Sequence, residues 1–203
     1  TKDEQSKAIH HLIDIKEPSE NYSVKDFQER GRFLIDELTK QNKLPIVVGG
    51  TGLYIKALLY DYEFKDENND DNPYDEFTNE QIYNILLKED PECLEKIHIN
   101  NRKRVLRAIE IYRLHGKTKT SIIDSQEHKL LYDVMFIGLN VEREKLYNDI
   151  NNRVDEMIKD GLVEEVTNLK SKYPASIHAF QAIGYKELLA YLDHKLTLNE
   201  AIE

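Results

Sequence analysis

The sequence has 203 residues, of which 33% are charged and 40% hydrophobic, and a net charge of −10. That is enough chain for one core, or for one domain carrying an insertion. It excludes a surface that binds nucleic acid all over, because phosphate contacts need Lys and Arg; only a local basic strip remains open. No apolar run approaches membrane-spanning length, and neither a membrane partner nor a signal peptide is expected. The single cysteine, Cys93, excludes an internal disulfide framework and a cysteine-based zinc site, and a reducing cytoplasm is the expected setting. The chain starts at Thr1 and stops at Glu203 inside a helical pattern, so missing ends are expected.

His11 to Ile15 (HLIDI) alternates and predicts a short strand. His10 and His11 would point to opposite sides of it, so one buried, hydrogen-bonded histidine is expected rather than a metal pair. Glu17 to Tyr22 is turn-rich. Ser23, with Asp26 three residues on, predicts a capped helix running to about Lys40, with Phe27, Leu34, Ile35 and Leu38 sheltered.

Leu44 to Tyr54 (LPIVVGGTGLY) is the stretch around which the rest is read. Ile46, Val47 and Val48 predict a strand buried on both faces. Gly49, Gly50 and Gly52 let the backbone take positive φ and approach a ligand closely; Thr51 places a hydroxyl in the same turn. A helix is predicted from Leu53 to Tyr60. Strand, Gly-rich turn and helix are how an open α/β sheet builds a crevice, and the helix start suits an anion. GGTG is neither a Walker A motif nor a GxGxxG fingerprint, so a tight connection without a ligand stays open.

Lys65 to Tyr74 is polar and acidic. Its spacing is not that of an EF-hand loop, and it reads as a solvated linker into an insertion. Asn79 to His98 predicts two short helices split at Asp90-Pro91. Asn100-Asn101 can cap the helix of RKRVLRAIEIYRLHGK, Arg102 to Lys117, which Gly116 ends, with Val105, Ile109 and Tyr112 on one face. Arg102, Lys103, Arg104 and Arg107 crowd its first two turns, against the macrodipole, which points to a negative partner. The competing reading is a solvated face with ion pairing to Glu110.

Tyr132 to Val141 (YDVMFIGLNV) predicts a second apolar strand. Glu142 opens a long helix with a buried stripe of Leu146, Ile150, Val154 and either Met157 or Ile158, stopped at Gly161. Arg153 lies beside that stripe; it faces either an anion in a cleft or a surface partner, Asp149 or Glu156, one turn away. Leu162 to Lys172 is a further helix. In His178 to Leu192, the mixture of Gln181, Gly184, Tyr185 and Lys186 at a helix start suits single-stranded RNA. An ordinary capped helix with Tyr185 in the core is the alternative.

Five stretches, HHLIDI with PSENYSVKDF, LPIVVGGTGLYIKALL, IHINNRKRVLRAIEIY, FIGLNVEREKLYNDINNRVDEMIKDGLVEEV and AFQAIGYKELLAYL, together resemble the tRNA dimethylallyltransferases, also called tRNA isopentenyltransferases. They occur in that family's order. The resemblance implies a P-loop-kinase-like α/β core, a parallel sheet flanked by helices, with a small helical insertion: residues 1–64 and 100–203 as core, 65–99 as insertion. It implies transfer of a dimethylallyl group from dimethylallyl diphosphate to the exocyclic amine of the adenosine beside the anticodon, with Mg2+ neutralising the departing diphosphate and the protein acting as a monomer. The target base is expected to leave the stack.

By the same resemblance, Thr51 lies near the target adenosine and Arg153 faces the diphosphate. Two tRNA-contacting segments are implied: Lys103, Arg104, Val105, Leu106 and Arg107, and Gln181, Ala182, Ile183, Gly184, Tyr185 and Lys186. The family's phosphate loop and its Asp-Ser-Met-Gln segment, whose aspartate is the expected general base, are absent, as is an arginine-rich C-terminal tail. No metal ligand is expected among these residues, and the chain as it stands is expected to be inactive. Three other readings stay open: an adenylate dimethylallyltransferase acting on free nucleotides, an ATP-binding P-loop small-molecule kinase, and a catalytically dead RNA-binding module.

Overall fold

The computed structural model describes residues 6–64, 73–118, 121–122 and 128–203; most of the acidic stretch read as a linker, residues 65–72, lies outside them. The helices are α1 (Val24–Lys40), α2 (Gly52–Leu59), α3 (Asn79–Glu89), α4 (Arg102–His115), α5 (Arg143–Lys159), α6 (Leu162–Lys172), α7 (Tyr185–Leu192) and α8 (Leu198–Ile202). Single 3-10 turns cover Pro91–Glu95 and His178–Gln181. The chain forms two compact units, Gln28–Val134 and the combination of Thr1–Phe27 with Met135–Glu203.

The helix boundaries follow local chemistry. Ser23 and Asp26 cap each other: the Asp26 N–H donates to Ser23 Oγ at 3.2 Å and the Ser23 N–H to Asp26 Oδ2 at 2.7 Å. Thr78 and Gln81 form the same reciprocal box at α3, and Thr197 with Glu200 at α8. Asn101 accepts from the Arg104 N–H at the start of α4, and Gly116 ends that helix at φ 61. These caps satisfy N–H groups that have no intrahelical acceptor.

The expected parallel sheet does not form among the described residues. Among the described residues no strand forms; the sole β pairing is an isolated antiparallel bridge, Tyr60 with Leu130. Ile46 and Val48 are 80% and 90% exposed, and Met135, Ile137 and Leu139 are 85%, 80% and 93% exposed. β-branched composition makes a segment fit for a strand, but a strand exists only when a neighbour pairs with its backbone, and neither segment has such a ladder. The HLIDI strand also fails, because Leu12 and Asp14 sit at φ 61 and 52, which breaks an extended run. His10 and His11 are both exposed, contrary to the expected buried histidine.

In the Gln28–Val134 unit, the core gathers Ile82 and Leu86 of α3, Cys93 of the Pro91 turn and Val105, Ala108 and Ile109 of α4, with Tyr74 and Ile97 from the connecting segments. A second contact fixes α2 against α1. Gln28, 7% exposed, donates from Nε2 to the carbonyls of Ala57 and Tyr62, each at 2.7 Å. Arg32 donates to the Leu58 and Ala57 carbonyls at 3.2 and 2.9 Å. A cation on the last carbonyls of a helix suits both their unmet valence and the dipole. At Gly31 an added Cβ would stand 2.6 Å from Leu58 Cδ1, so the missing side chain is what allows the close approach.

In the other unit, Val166, Phe180 and Leu188 are at most 2% exposed. The stripe of α5 is not buried as expected: Leu146, Ile150 and Met157 remain 45%, 47% and 38% exposed. A helix sequence sets the stripe; a packing partner sets its burial.

Candidate functional site

Thr51 is the N-cap of α2, at φ −80 and ψ 102. Its carbonyl starts the helix, accepting from Tyr54 and Ile55 at 3.0 and 3.2 Å. Its hydroxyl makes no capping bond, so it is exposed and uncommitted. Gly49, Gly50 and Gly52 do not take the positive φ that the sequence allowed, and a Cβ at any of them would meet nothing within 4 Å. The turn is therefore open on its outer side, and the backbone path itself does not demand glycine.

The basic cluster at the start of α4 separates into two kinds of residue. Arg102 reaches back to the segment before α3, donating to the Phe77 carbonyl at 2.7 Å and to Asn79 Oδ1 at 3.3 Å. Its charge, unfavourable at a helix start, is thus spent on acceptors. Arg107 pairs with Glu110 at 2.8 Å, and Arg113 with Glu89 at 3.3 Å while lying 5.2 Å over the Tyr74 ring. The ion pair to Glu110 is the competing reading of this face, and for Arg107 it is what forms. Lys103 and Arg104 differ: both are exposed, and among the described residues their side chains make no hydrogen bond or ion pair. Val105 is 1% exposed in the core and Leu106 packs against it. Their side chains hold the helix, and the face offered outward belongs to Lys103 and Arg104.

Arg153 is exposed on α5. Asp149 and Glu156 are one turn away, yet neither pairs with it, and among the described residues it makes no other hydrogen bond or ion pair. Thr51 belongs to one compact unit and Arg153 to the other.

In the segment Gln181 to Lys186, Gln181, Ala182 and Lys186 are exposed, and Ile183 is 97% exposed. Gly184 takes φ 87, where a side chain would be strained, and its N–H donates to Glu187 Oε2 at 2.8 Å. Tyr185 is neither core nor free: it is half-buried, and its hydroxyl donates to Glu165 on α6. Burial first, then that hydrogen bond and the carboxylate charge, push the phenol up to about 12. It therefore remains a protonated donor at physiological pH.

Sequence reading missed Arg32, Gln28 and Glu165, whose partners lie 20 to 34 residues away. Among the described residues no three His, Cys, Asp or Glu side chains gather as a metal site, and no helix is long and apolar enough to cross a membrane.

The family model described as IPP transferase matches residues 1–203. A tRNA dimethylallyltransferase of Anoxybacillus flavithermus is 51% identical over 197 residues, which are 96% of this chain and 63% of that protein. One of Bacillus anthracis is 44% identical over 209 residues, covering 100% of this chain and 67% of that protein. The fold is similar to the full-length tRNA isopentenylpyrophosphate transferase of Bacillus halodurans, with TM-score 0.68, 39% identity, and coverage of 100% of this chain and 65% of that one. It is also similar to a eukaryotic dimethylallyltransferase acting on tRNA, with TM-score 0.81, 29% identity, and coverage of 98% and 53%. The chain belongs to the IPP transferase family. It spans about two thirds of the length of the bacterial relatives it matches.

Proposed function

We propose that this chain carries part of the active site of an enzyme that transfers a dimethylallyl group from dimethylallyl diphosphate to the exocyclic amine of the adenosine next to the anticodon in tRNA. One observation carries the reading. Lys103, Arg104, Arg153 and Lys186 have no side-chain partner among the described residues, while the other three arginines of α4 are all engaged. Exposed cations kept out of ion pairs suit phosphate; engaged ones suit folding.

In that reaction the amine nitrogen forms a bond to the allylic carbon as the carbon–oxygen bond to diphosphate breaks. The electron pair leaves with diphosphate, and the amine proton passes to a base. Arg153 meets the negative charge that grows on the leaving oxygens, an interaction stronger in the transition state than in the ground state. The uncommitted hydroxyl of Thr51 offers a hydrogen bond to the adenosine. Lys103, Arg104 and the Gln181–Lys186 segment hold the RNA backbone and its splayed loop. Mg2+ would enter with the diphosphate as part of the substrate and offset its charge; among the described residues no three His, Cys, Asp or Glu side chains gather to hold it. The setting proposed is the cytoplasm, consistent with a lone buried thiol, Cys93.

Lys103 and Arg104 also favour tRNA over a free nucleotide, which has no use for a basic strip. Reversing both charges in the full-length protein, K103E with R104E, is expected to weaken binding of an anticodon stem-loop by roughly tenfold or more at moderate salt and to flatten the salt dependence. The KM for dimethylallyl diphosphate stays the same. Filter binding across a salt series reads the outcome; unchanged RNA affinity together with intact prenylation of AMP would transfer the assignment to free nucleotides.

A further inference from the structure

Helix α7 is tied to α6 at both ends. At its start the Tyr185 hydroxyl donates to Glu165, and just past its end Lys170 donates to Asp193 at 2.6 Å. The first tie sits directly after the turn Gln181–Gly184, where Ile183 is 97% exposed. The residue before that turn, Phe180, is 1% exposed, so the turn leaves from one buried anchor and arrives at one hydrogen-bonded anchor. Between them stand Gly184 at φ 87 and its N–H bond to Glu187.

Glu165 itself is exposed and negatively charged. A carboxylate repels phosphate, so it is unsuited to touch RNA. An exposed hydrogen-bonded pair also adds little to stability. What such a bond does provide is a fixed geometry, and a pre-ordered loop binds more tightly because less freedom is lost on binding.

We infer that Glu165 is a positioning residue for the RNA: by holding the Tyr185 hydroxyl it fixes where the turn enters α7, and so presents Gln181, Ile183 and Lys186 already ordered to a splayed single-stranded loop. This rests on the RNA-directed reading above and adds to it a residue that touches no RNA. Ile183 supplies an apolar surface for an unstacked base, and Gln181 and Lys186 flank it with an amide and a cation.

The test uses the full-length protein and a fluorescently labelled, unmodified anticodon stem-loop, with anisotropy for Kd and steady-state kinetics for kcat and both KM values. Y185F and E165A are each expected to weaken RNA binding by roughly fivefold to tenfold, and the double variant by no more than either, because one bond is lost in all three. E165Q, whose amide oxygen still accepts from the phenol, restores affinity to within about twofold. The KM for dimethylallyl diphosphate and the melting temperature stay near wild type. K170A, which cuts the tie at the far end, leaves RNA affinity unchanged.

Wild-type RNA affinity in Y185F, or additive losses in the double variant, overturns the inference while leaving the RNA-directed reading intact. A melting-temperature drop in Y185F that accounts for its lost binding also overturns it. A wild-type protein that binds no stem-loop removes both together, and that control is read first.

Discussion

With alanine at position 153, the full-length enzyme is expected to turn over about 10²–10³-fold more slowly, the usual cost of removing one donor aimed at transition-state charge. Arg153 has carboxylates one turn away on either side, at Asp149 and Glu156, and pairs with neither. An arginine kept from its nearest partners is available to an anion that arrives. Arg153→Lys keeps the charge but not the planar fork, and an intermediate loss is expected. Glu156→Gln should lie within about twofold of wild type, since there is no pair to break. Single-turnover rates with saturating dimethylallyl diphosphate and RNA check this directly. A near-wild-type rate for Arg153→Ala would take the leaving-group role away from this residue.

Leu86→Ala is expected to cost about 2–5 kcal/mol of stability, through lost transfer energy and the cavity left behind. Leu86 is fully buried in the cluster that joins α3 to α4, so the loss is structural but reaches the site. Val105 and Ile109 in that cluster are what hold α4, and Lys103 and Arg104 stand at its start. Loosening the cluster should therefore weaken RNA binding as well as lower the melting temperature. Lys88→Ala, one helix face away and exposed, should change stability by no more than about 0.5 kcal/mol. Urea unfolding followed by circular dichroism compares the two; equal midpoints would mean that the cluster is not the core it is described to be.

The parts of this molecule that were legible in its sequence are those decided within a few residues. Ser23 with Asp26, Asn101 before α4, and Gly116 and Gly161 at φ 61 and 99 are all local solutions to unmet backbone groups or left-handed turns. The break at Asp90-Pro91 is local too.

That no sheet forms among the described residues was not legible in this sense. Ile46 to Val48 and Met135 to Leu139 have strand composition, but pairing is decided by distant backbone, and the described residues supply no ladder. The same limit applies to the α5 stripe, whose apolar face was correctly periodic and is nonetheless exposed. Among the site residues, the basic cluster of α4 was visible as a cluster, but not its division. Arg102 differs from Lys103 and Arg104 through a carbonyl and an amide oxygen placed by the fold, whereas Glu110, the partner of Arg107, lies three residues on in the same helix. Glu165 gave no sequence signal at all, because its importance depends on Tyr185 twenty residues later.

A product assay tests the proposed dimethylallyl transfer. The full-length protein is mixed with Mg2+, dimethylallyl diphosphate and an unmodified anticodon stem-loop, and the RNA is digested and read by mass spectrometry. One added dimethylallyl group on the adenosine beside the anticodon is expected, with diphosphate released in equal amount. Unmodified RNA alongside prenylated AMP would contradict the proposed transfer, and so would RNA that binds but gains no mass.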